Sequence, residues 1–281
     1  MSLEAPHEAL ARIVASALAE DLGDLGDITT VSIVPSGTPM TAVIRSREAG
    51  RIAGVDAVRL VISRLPEPAS ATIVTPDGSD VEAGGTVALL SGSARTLLTG
   101  ERVILNLLGH LSGIATATAT VVRAVEGTGA VIKDTRKTTP GLRLLEKYAV
   151  EAGGGINHRS GLYDAVLIKD NHIAVAGSIT TAVGRARARL GRDFPIQVEV
   201  DTLEQLKEAL TVRVDAVLLD NMNPDQLRRA VAIVSRSCHT EASGGITPQN
   251  VRAVAETGVD SISLGWLTHS SRSLDLGIDI E

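Results

Sequence analysis

Between Lys133 and His172 the chain collects Arg136, Lys137, His158, Arg159 and Lys169 around short apolar runs and the triplet Gly153-Gly154-Gly155. Seven Lys and Arg against five Asp and Glu leave this stretch at +2, in a chain whose net charge is −6. Like charges gathered in a fold repel one another unless an anion sits among them. The implied chemistry is capture of a small, multiply negative molecule. Arg136 and Lys137 also stand before a predicted helix, where cations oppose the dipole unless an anion is bound. Lys169 lies in an apolar strand pattern, and Lys is rarely buried without a partner.

Glu199 in VEVD and Asp220 in LLDN hold equivalent places on consecutive predicted strands and would face the cations. Two readings stand side by side: ion pairs that neutralise Arg136 or Lys137, and oxygen ligation of a hard cation such as Mg²⁺ with stabilisation of developing positive charge. Ser243-Gly244-Gly245 and Leu264-Gly265-Trp266 look like successive phosphate loops at the end of a barrel, with glycine amides exposed to a phosphate monoester. His158 is open to three roles: ligand contact, core histidine or metal ligand. Direct ligation ranks last, since no second histidine lies at metal-ligand spacing from it. Arg102 and His110 sit on a separate helical stretch, and alone Arg102 reads as solvent-facing.

The elements that must carry these residues follow from composition and pattern. A chain of 281 residues has material for a barrel-sized domain and a smaller one. With one Phe, one Trp and two Tyr, the core must be packed with Val, Ile, Leu and Ala, and stacking platforms for nucleic acid are not expected. The acidic balance points the same way. No apolar run long enough for a membrane span and no leader pattern are read, so a cytoplasmic protein is expected. The lone Cys238 excludes an internal disulfide framework and a thiolate cluster, and is given no role.

Leu10, Ile13, Val14, Ala17 and Leu18 predict a first helix over 7–20, and Thr29 and Thr30 are expected to begin an extended segment. TAVIRSREAGRIAG and SATIVTPDGSDVEAGGTVALLSG alternate as strands around the helix VDAVRLVISRL, giving a small N-terminal α+β domain over 1–108. A long helix is predicted over 94–125, with Gly109 and Gly113 allowing close packing. Beyond Gly129 six apolar strands, AVIKDT, DAVLIKD, PIQVEV, DAVLLDN, HTEASG and SISLG, alternate with helical patterns, which is the grammar of βα units. Thr139 is expected to cap the first of those helices, with Pro140 in its first turn and Gly153 at its end. The fold class is therefore α/β: a short, open (βα)6-type barrel over 109–266, with its polar residues at the strand C-termini. The tail 267–281 carries a further period-two run and is expected to return to the small domain.

DTRKTTPGLR, EKYAVEAGGGINHRSGLYDAVLIKDNH, VEVD, LLDN, EASGGI and SLGWLTHS together resemble the quinolinate phosphoribosyltransferase family, and the likeness extends from EDLGDLGDITT to SLDLGIDIE. The resemblance implies an enzyme that joins quinolinate to phosphoribosyl pyrophosphate with loss of CO₂, in NAD biosynthesis. It implies quinolinate contacts at Arg102, Arg136, His158, Arg159 and Lys169, with Arg102 supplied by the neighbouring subunit of a homodimer. Lys137, Glu199 and Asp220 match the catalytic positions facing phosphoribosyl pyrophosphate and Mg²⁺. Ser243, Gly244, Gly245 and Gly265 match the 5′-phosphate loops. Trp266 and Glu151 depart from the family's usual small residue and neutral or basic residue. The rivals are a ModD-like paralogue of the same framework and a non-catalytic binder of anionic metabolites, which would not need Glu199 and Asp220. A nucleotide-dependent kinase would need a G-x-x-x-x-G-K-[ST] run that the chain lacks.

Overall fold

The computed structural model describes residues 6–281; the leader reading falls partly on residues 1–5, which lie outside them. Helix α1 (His7–Leu22) forms where Leu10, Val14 and Leu18 recur at four-residue spacing, and all three are buried. The next element, α2 (Ile28–Ile33), corrects the expected extended segment. Asp27 accepts the Thr30 N–H at 2.9 Å, and this cap outweighs the β-branched composition of ITTVSI. Then come β1 (Pro39–Ser46), β2 (Gly50–Arg51), α3 (Asp56–Arg64), β3 (Ala69–Ile73), β4 (Asp80–Val81) and β5 (Thr86–Ser93), followed by the 31-residue α4 (Ala94–Ala124). Helix α4 is long and apolar enough to cross a bilayer, yet most of its apolar length is buried inside the protein, as in a core helix.

The βα units follow: β6 (Val131–Lys133), α5 (Arg143–Ala152), β7 (Val166–Ile168), α6 (Asp170–Ala176), α7 (Ile179–Leu190), β8 (Ile196–Val200), α8 (Leu203–Thr211), β9 (Ala216–Asp220), α9 (Pro224–Val234), β10 (His239–Ser243), α10 (Val251–Ala255) and β11 (Ser261–Ser263). The chain ends in α11 (Trp266–His269) and β12 (Leu276–Ile280). All six expected strands are present and pair in parallel in the order β6-β11-β10-β9-β8-β7. The expected open α/β barrel is thus borne out: β6 and β7 are edges of the sheet, and beside β6 there is only an isolated bridge from Lys133 to Ile156.

The chain divides into two compact units, one taking the residues up to Ala119 with Thr138–Gly154 and Trp266–Glu281, the other Thr120–Lys137 and Gly155–Gly265. This differs from a barrel spanning 109–266, because α5 clusters with the first unit. The reason is local bonding. The Tyr148 hydroxyl donates to Asp77, the buried Glu146 meets His110 Nε2 at 3.0 Å, and a Cβ on Gly153 would lie 2.5 Å from Thr118. Helix α5 also starts later than expected. Thr139 does not cap it; Gly141 sits at φ +84°, and Glu146 instead accepts the Thr139 N–H at 3.0 Å. Gly153 does end it.

The first unit carries a four-stranded antiparallel sheet ordered β12-β1-β5-β3, in which Ala42 pairs with Ile280 and Ser46 with Leu276. The tail before β12 lies on α4 where the two glycines remove side-chain bulk. A Cβ at Gly113 would stand 2.1 Å from the Arg272 carbonyl oxygen, and one at Gly109 3.0 Å from that of Leu274. Gly113→Ala is expected to destabilise the protein by roughly 1–3 kcal/mol, the usual cost of overpacking. Urea denaturation checks this, and an unchanged midpoint would show that the strap yields freely.

Candidate active site

The second unit brings Arg136, Lys137, His158, Arg159, Lys169, Glu199, Asp220, Ser243, Gly244, Gly245 and Gly265 into one body. Most stand at or just past the C-terminal ends of strands, because a parallel sheet delivers every strand in the same direction. Arg136 and Lys137 follow β6, Lys169 follows β7, Glu199 and Asp220 lie at the ends of β8 and β9, and Ser243 closes β10. Arg102 belongs to the first unit, exposed on α4 beside a recess of about 570 Å³ that Asn106, Arg272 and Asp275 also line.

Two guanidinium groups define the cationic part. Arg136 Nε and Arg159 Nε are both buried and without a hydrogen-bond partner, while Arg159 Nη1 donates to the Ala165 carbonyl at 3.1 Å. Burial, and then the charge of Arg136, pull the Arg159 pKa down. A buried donor left unmade costs free energy, and two mutually repelling cations add to it. Lys169 is half exposed and reaches Glu199 at 2.6 Å. Asp220 receives an N–H from its neighbour Asn221 at 2.7 Å. Burial first, and then the charges of Glu199 and Asp201, push its carboxyl up, against Lys169 and Lys137.

Gly244 and Gly245 adopt φ of +88° and +61°, so a left-handed turn follows β10 directly. A Cβ on Gly244 would collide with Asn221 at 2.2 Å, which explains glycine there. Asn250 steadies this loop by donating to the Gly245 carbonyl at 3.1 Å and accepting the Thr247 N–H at 2.7 Å. Trp266 begins α11 and is half-buried. Cys238 is half-buried too, and burial raises its thiol pKa, the opposite of an activated nucleophile.

Sequence reasoning missed the floor of the barrel. Glu241, in the middle of β10 and 1% exposed, accepts from Lys133 Nζ at 3.0 Å, Ser261 Oγ at 3.4 Å and Ser263 Oγ, and meets His158 Nε2 at 3.3 Å. Despite burial, these partners, His158 foremost, hold its carboxyl far below the usual range. Asp134, also buried, accepts the His158 N–H at 2.8 Å. The available signal was period two: Gln197 and Glu199 on β8 and Ser261 and Ser263 on β11 alternate with apolar residues, and His239, Glu241 and Ser243 on β10 alternate with Thr240 and Ala242.

For Mg²⁺, no group of three or more His, Cys, Asp or Glu poised to hold a metal occurs among the described residues. Asp220 nevertheless feels the charge of Glu199, and two hard oxygen donors suit an ion that keeps much of its water and shares the phosphates of a substrate.

An open βα barrel with orphaned guanidiniums and paired carboxylates at its C-terminal mouth defines a class, the barrel enzymes that act on small polyanions. Residues 27–112 match the family described as quinolinate phosphoribosyl transferase, N-terminal domain, and residues 114–279 its C-terminal domain. The chain belongs to the quinolinate phosphoribosyltransferase family. It is 45% identical over 274 residues to the probable nicotinate-nucleotide pyrophosphorylase (carboxylating) of Bacillus subtilis (strain 168), covering 98% of this chain and 94% of that one. Its identity to the corresponding protein of Mycobacterium leprae (strain TN) is 46% over 269 residues, 94% of each. The nicotinate-nucleotide pyrophosphorylase structure from Francisella tularensis superposes with a TM-score of 0.94 at 38% identity, covering 99% of this chain and 98% of that one.

Proposed function

We propose that the chain transfers the phosphoribosyl group of phosphoribosyl pyrophosphate to the ring nitrogen of quinolinate and releases pyrophosphate and CO₂, forming nicotinate mononucleotide for de novo NAD biosynthesis. The observation that carries this is the pair of buried, unpartnered Nε groups on Arg136 and Arg159. A dicarboxylate supplies the acceptors they lack, and the planar fork of Arg suits it better than a single acid would. Lys169 and the partner subunit's Arg102 complete the quinolinate site. Lys137, Glu199 and Asp220 face phosphoribosyl pyrophosphate, whose 5′-phosphate lies on Ser243, Gly244, Gly245 and Gly265.

The ring nitrogen attacks C1 of the ribose as the C1–O bond to pyrophosphate breaks. Glu199 and Asp220 stabilise the oxocarbenium-like charge that develops. Both would also hold Mg²⁺, directly or through water, and the bound ion neutralises charge on the pyrophosphate. With the nitrogen quaternary, the adjacent carboxylate departs as CO₂; its electron pair stays on the ring carbon beside the positive nitrogen and is then protonated. Lys137 is the cation assigned to assist these steps. A binder of anionic metabolites would have no use for the two carboxylates.

The test is release of labelled CO₂ from carboxyl-labelled quinolinate with phosphoribosyl pyrophosphate and Mg²⁺. Release matched by nicotinate mononucleotide is expected, with no product from nicotinate; an inert mixture would overturn the reading. The working unit is taken to be a cytoplasmic homodimer. Mixing inactive Arg102→Ala and Lys169→Ala proteins should restore about a quarter of full activity per dimer formed, since random exchange makes half the dimers mixed and each has one intact site. No recovery after verified exchange would place Arg102 outside its neighbour's site.

A further inference from the structure

Helices α6, α8 and α9 each begin at a residue with extended backbone, and they satisfy that end differently. In α8 and α9 the cap is reciprocal. Thr202 and Asn223 accept the N–H of the residue three places on, while Gln205 Oε1 and Gln226 Oε1 reach back to the Thr202 and Asn223 N–H groups at 3.1 and 3.0 Å. Helix α6 has Lys169 in the cap position, and an ammonium offers only donors, so no side chain caps the helix from there. A cation at that end also opposes the helix dipole. What remains is the returning half, with a histidine in the place that glutamine takes elsewhere: His172 Nδ1 accepts the Lys169 N–H at 2.9 Å.

The Lys169 side chain is thereby released from the helix and reaches Glu199 Oε2, on the neighbouring strand β8, at 2.6 Å. Little else holds α6. None of its seven residues is buried, so packing contributes little, and a helix this short is marginal by itself. The Lys169 carbonyl accepts the Ile173 N–H at 3.0 Å, and Gly177 ends the helix at φ +97°. His172 holds the amide of Lys169 while this first helical bond holds its carbonyl, and the direction in which the lysine leaves the end of β7 is set from both sides. We propose that His172 is a positioning residue of the quinolinate site: through the Lys169 amide it fixes where the Lys169 ammonium stands, closing the end of α6 that Lys169 cannot cap. The proposal rests on the functional reading above.

Three variants of the full-length protein separate positioning from helix stability, with steady-state kinetics on both substrates. His172 is exposed, so replacing it removes no core packing. His172→Ala should raise the quinolinate KM about fivefold, the size of one neutral hydrogen bond, with kcat and the phosphoribosyl pyrophosphate KM within about twofold of wild type. His172→Gln supplies the acceptor that Gln205 and Gln226 supply in α8 and α9, and should bring the quinolinate KM back to within about twofold. Gly177→Ala strains the left-handed end of α6 and leaves the Lys169 amide untouched, so it should weaken the helix and keep the quinolinate KM within about twofold.

A wild-type quinolinate KM in His172→Ala overturns the proposal, as do two KM values that rise together or a glutamine variant no better than the alanine one. A Gly177→Ala protein whose quinolinate KM rises as far as that of His172→Ala also overturns it, because helix stability alone would then account for the loss. A wild type inert toward quinolinate refutes the functional reading; an active wild type with any of these results refutes only the positioning role.

Discussion

Arg136→Ala should lower kcat/KM for quinolinate by roughly a thousandfold while leaving the phosphoribosyl pyrophosphate KM within a few-fold, the outcome of truncating one partner of a desolvated charge pair at about 2–5 kcal/mol. The geometry gives the loss its direction. Arg136 Nε is buried and unpartnered, so its bonding capacity is reserved for a guest. The unliganded variant should be at least as thermostable as the wild type, because the Arg136 charge already pulls Arg159 down. Quinolinate should no longer raise its melting temperature. Kinetics with both substrates and thermal shifts with and without quinolinate make the check; wild-type kcat/KM would remove Arg136 from the site.

Asp220→Asn is expected to cut kcat by roughly 10²–10³-fold, in line with losing one preorganised group that stabilises transition-state charge. It should also make the free protein more stable near neutrality. The folded carboxyl is shifted upward, mainly by burial and then by Glu199 and Asp201. For a raised pKa, the stabilising contribution is fully present below the unfolded value of 3.8 and is lost as pH rises through the folded value. The ionised Asp220 is therefore a burden to the unliganded protein at pH 7, which the amide lacks. Melting temperatures of the two proteins should converge as pH falls toward about 4 and diverge at neutral pH. A variant less stable at pH 7, or with wild-type kcat, would contradict the assignment.

These sites were legible to different depths. The barrel strands could be read because five of the six are short runs rich in Val, Ile or Leu between helical patterns, with HTEAS placed by its position in that alternation, and the open ring followed from their number. The glycine loop after β10 announced itself by adjacent glycines, and the structure gives both positive φ. Local composition misled at α2, where one Asp27 cap reverses the preference of β-branched residues, and at α5, where the turn at Gly141 delays the helix. The allegiance of α5 to the first unit depends on Tyr148 finding Asp77 and Glu146 finding His110, pairings that no spacing rule encodes. Glu241 escaped notice because a charged residue inside a strand reads as solvent-facing until the curvature of the sheet shows which alternate positions turn inward.

The unclosed ring has a mechanical consequence. The loops bearing Arg136, Lys137 and Lys169 spring from β6 and β7, the two strands whose mutual spacing no ladder fixes, and His158 and Arg159 lie on the chain that travels between them. Beside β6, among the described residues, the sheet continues only through the bridge at Ile156, whose N–H reaches the Ile132 carbonyl at 2.9 Å and whose carbonyl accepts the Asp134 N–H at 3.4 Å, so a change in the width of that seam would strain two backbone hydrogen bonds and not a full ladder. The neighbouring strands β8 and β9 are held by a continuous parallel ladder, which keeps Glu199 and Asp220 at a set separation, so any yielding at the β6 edge would leave the two carboxylates in place.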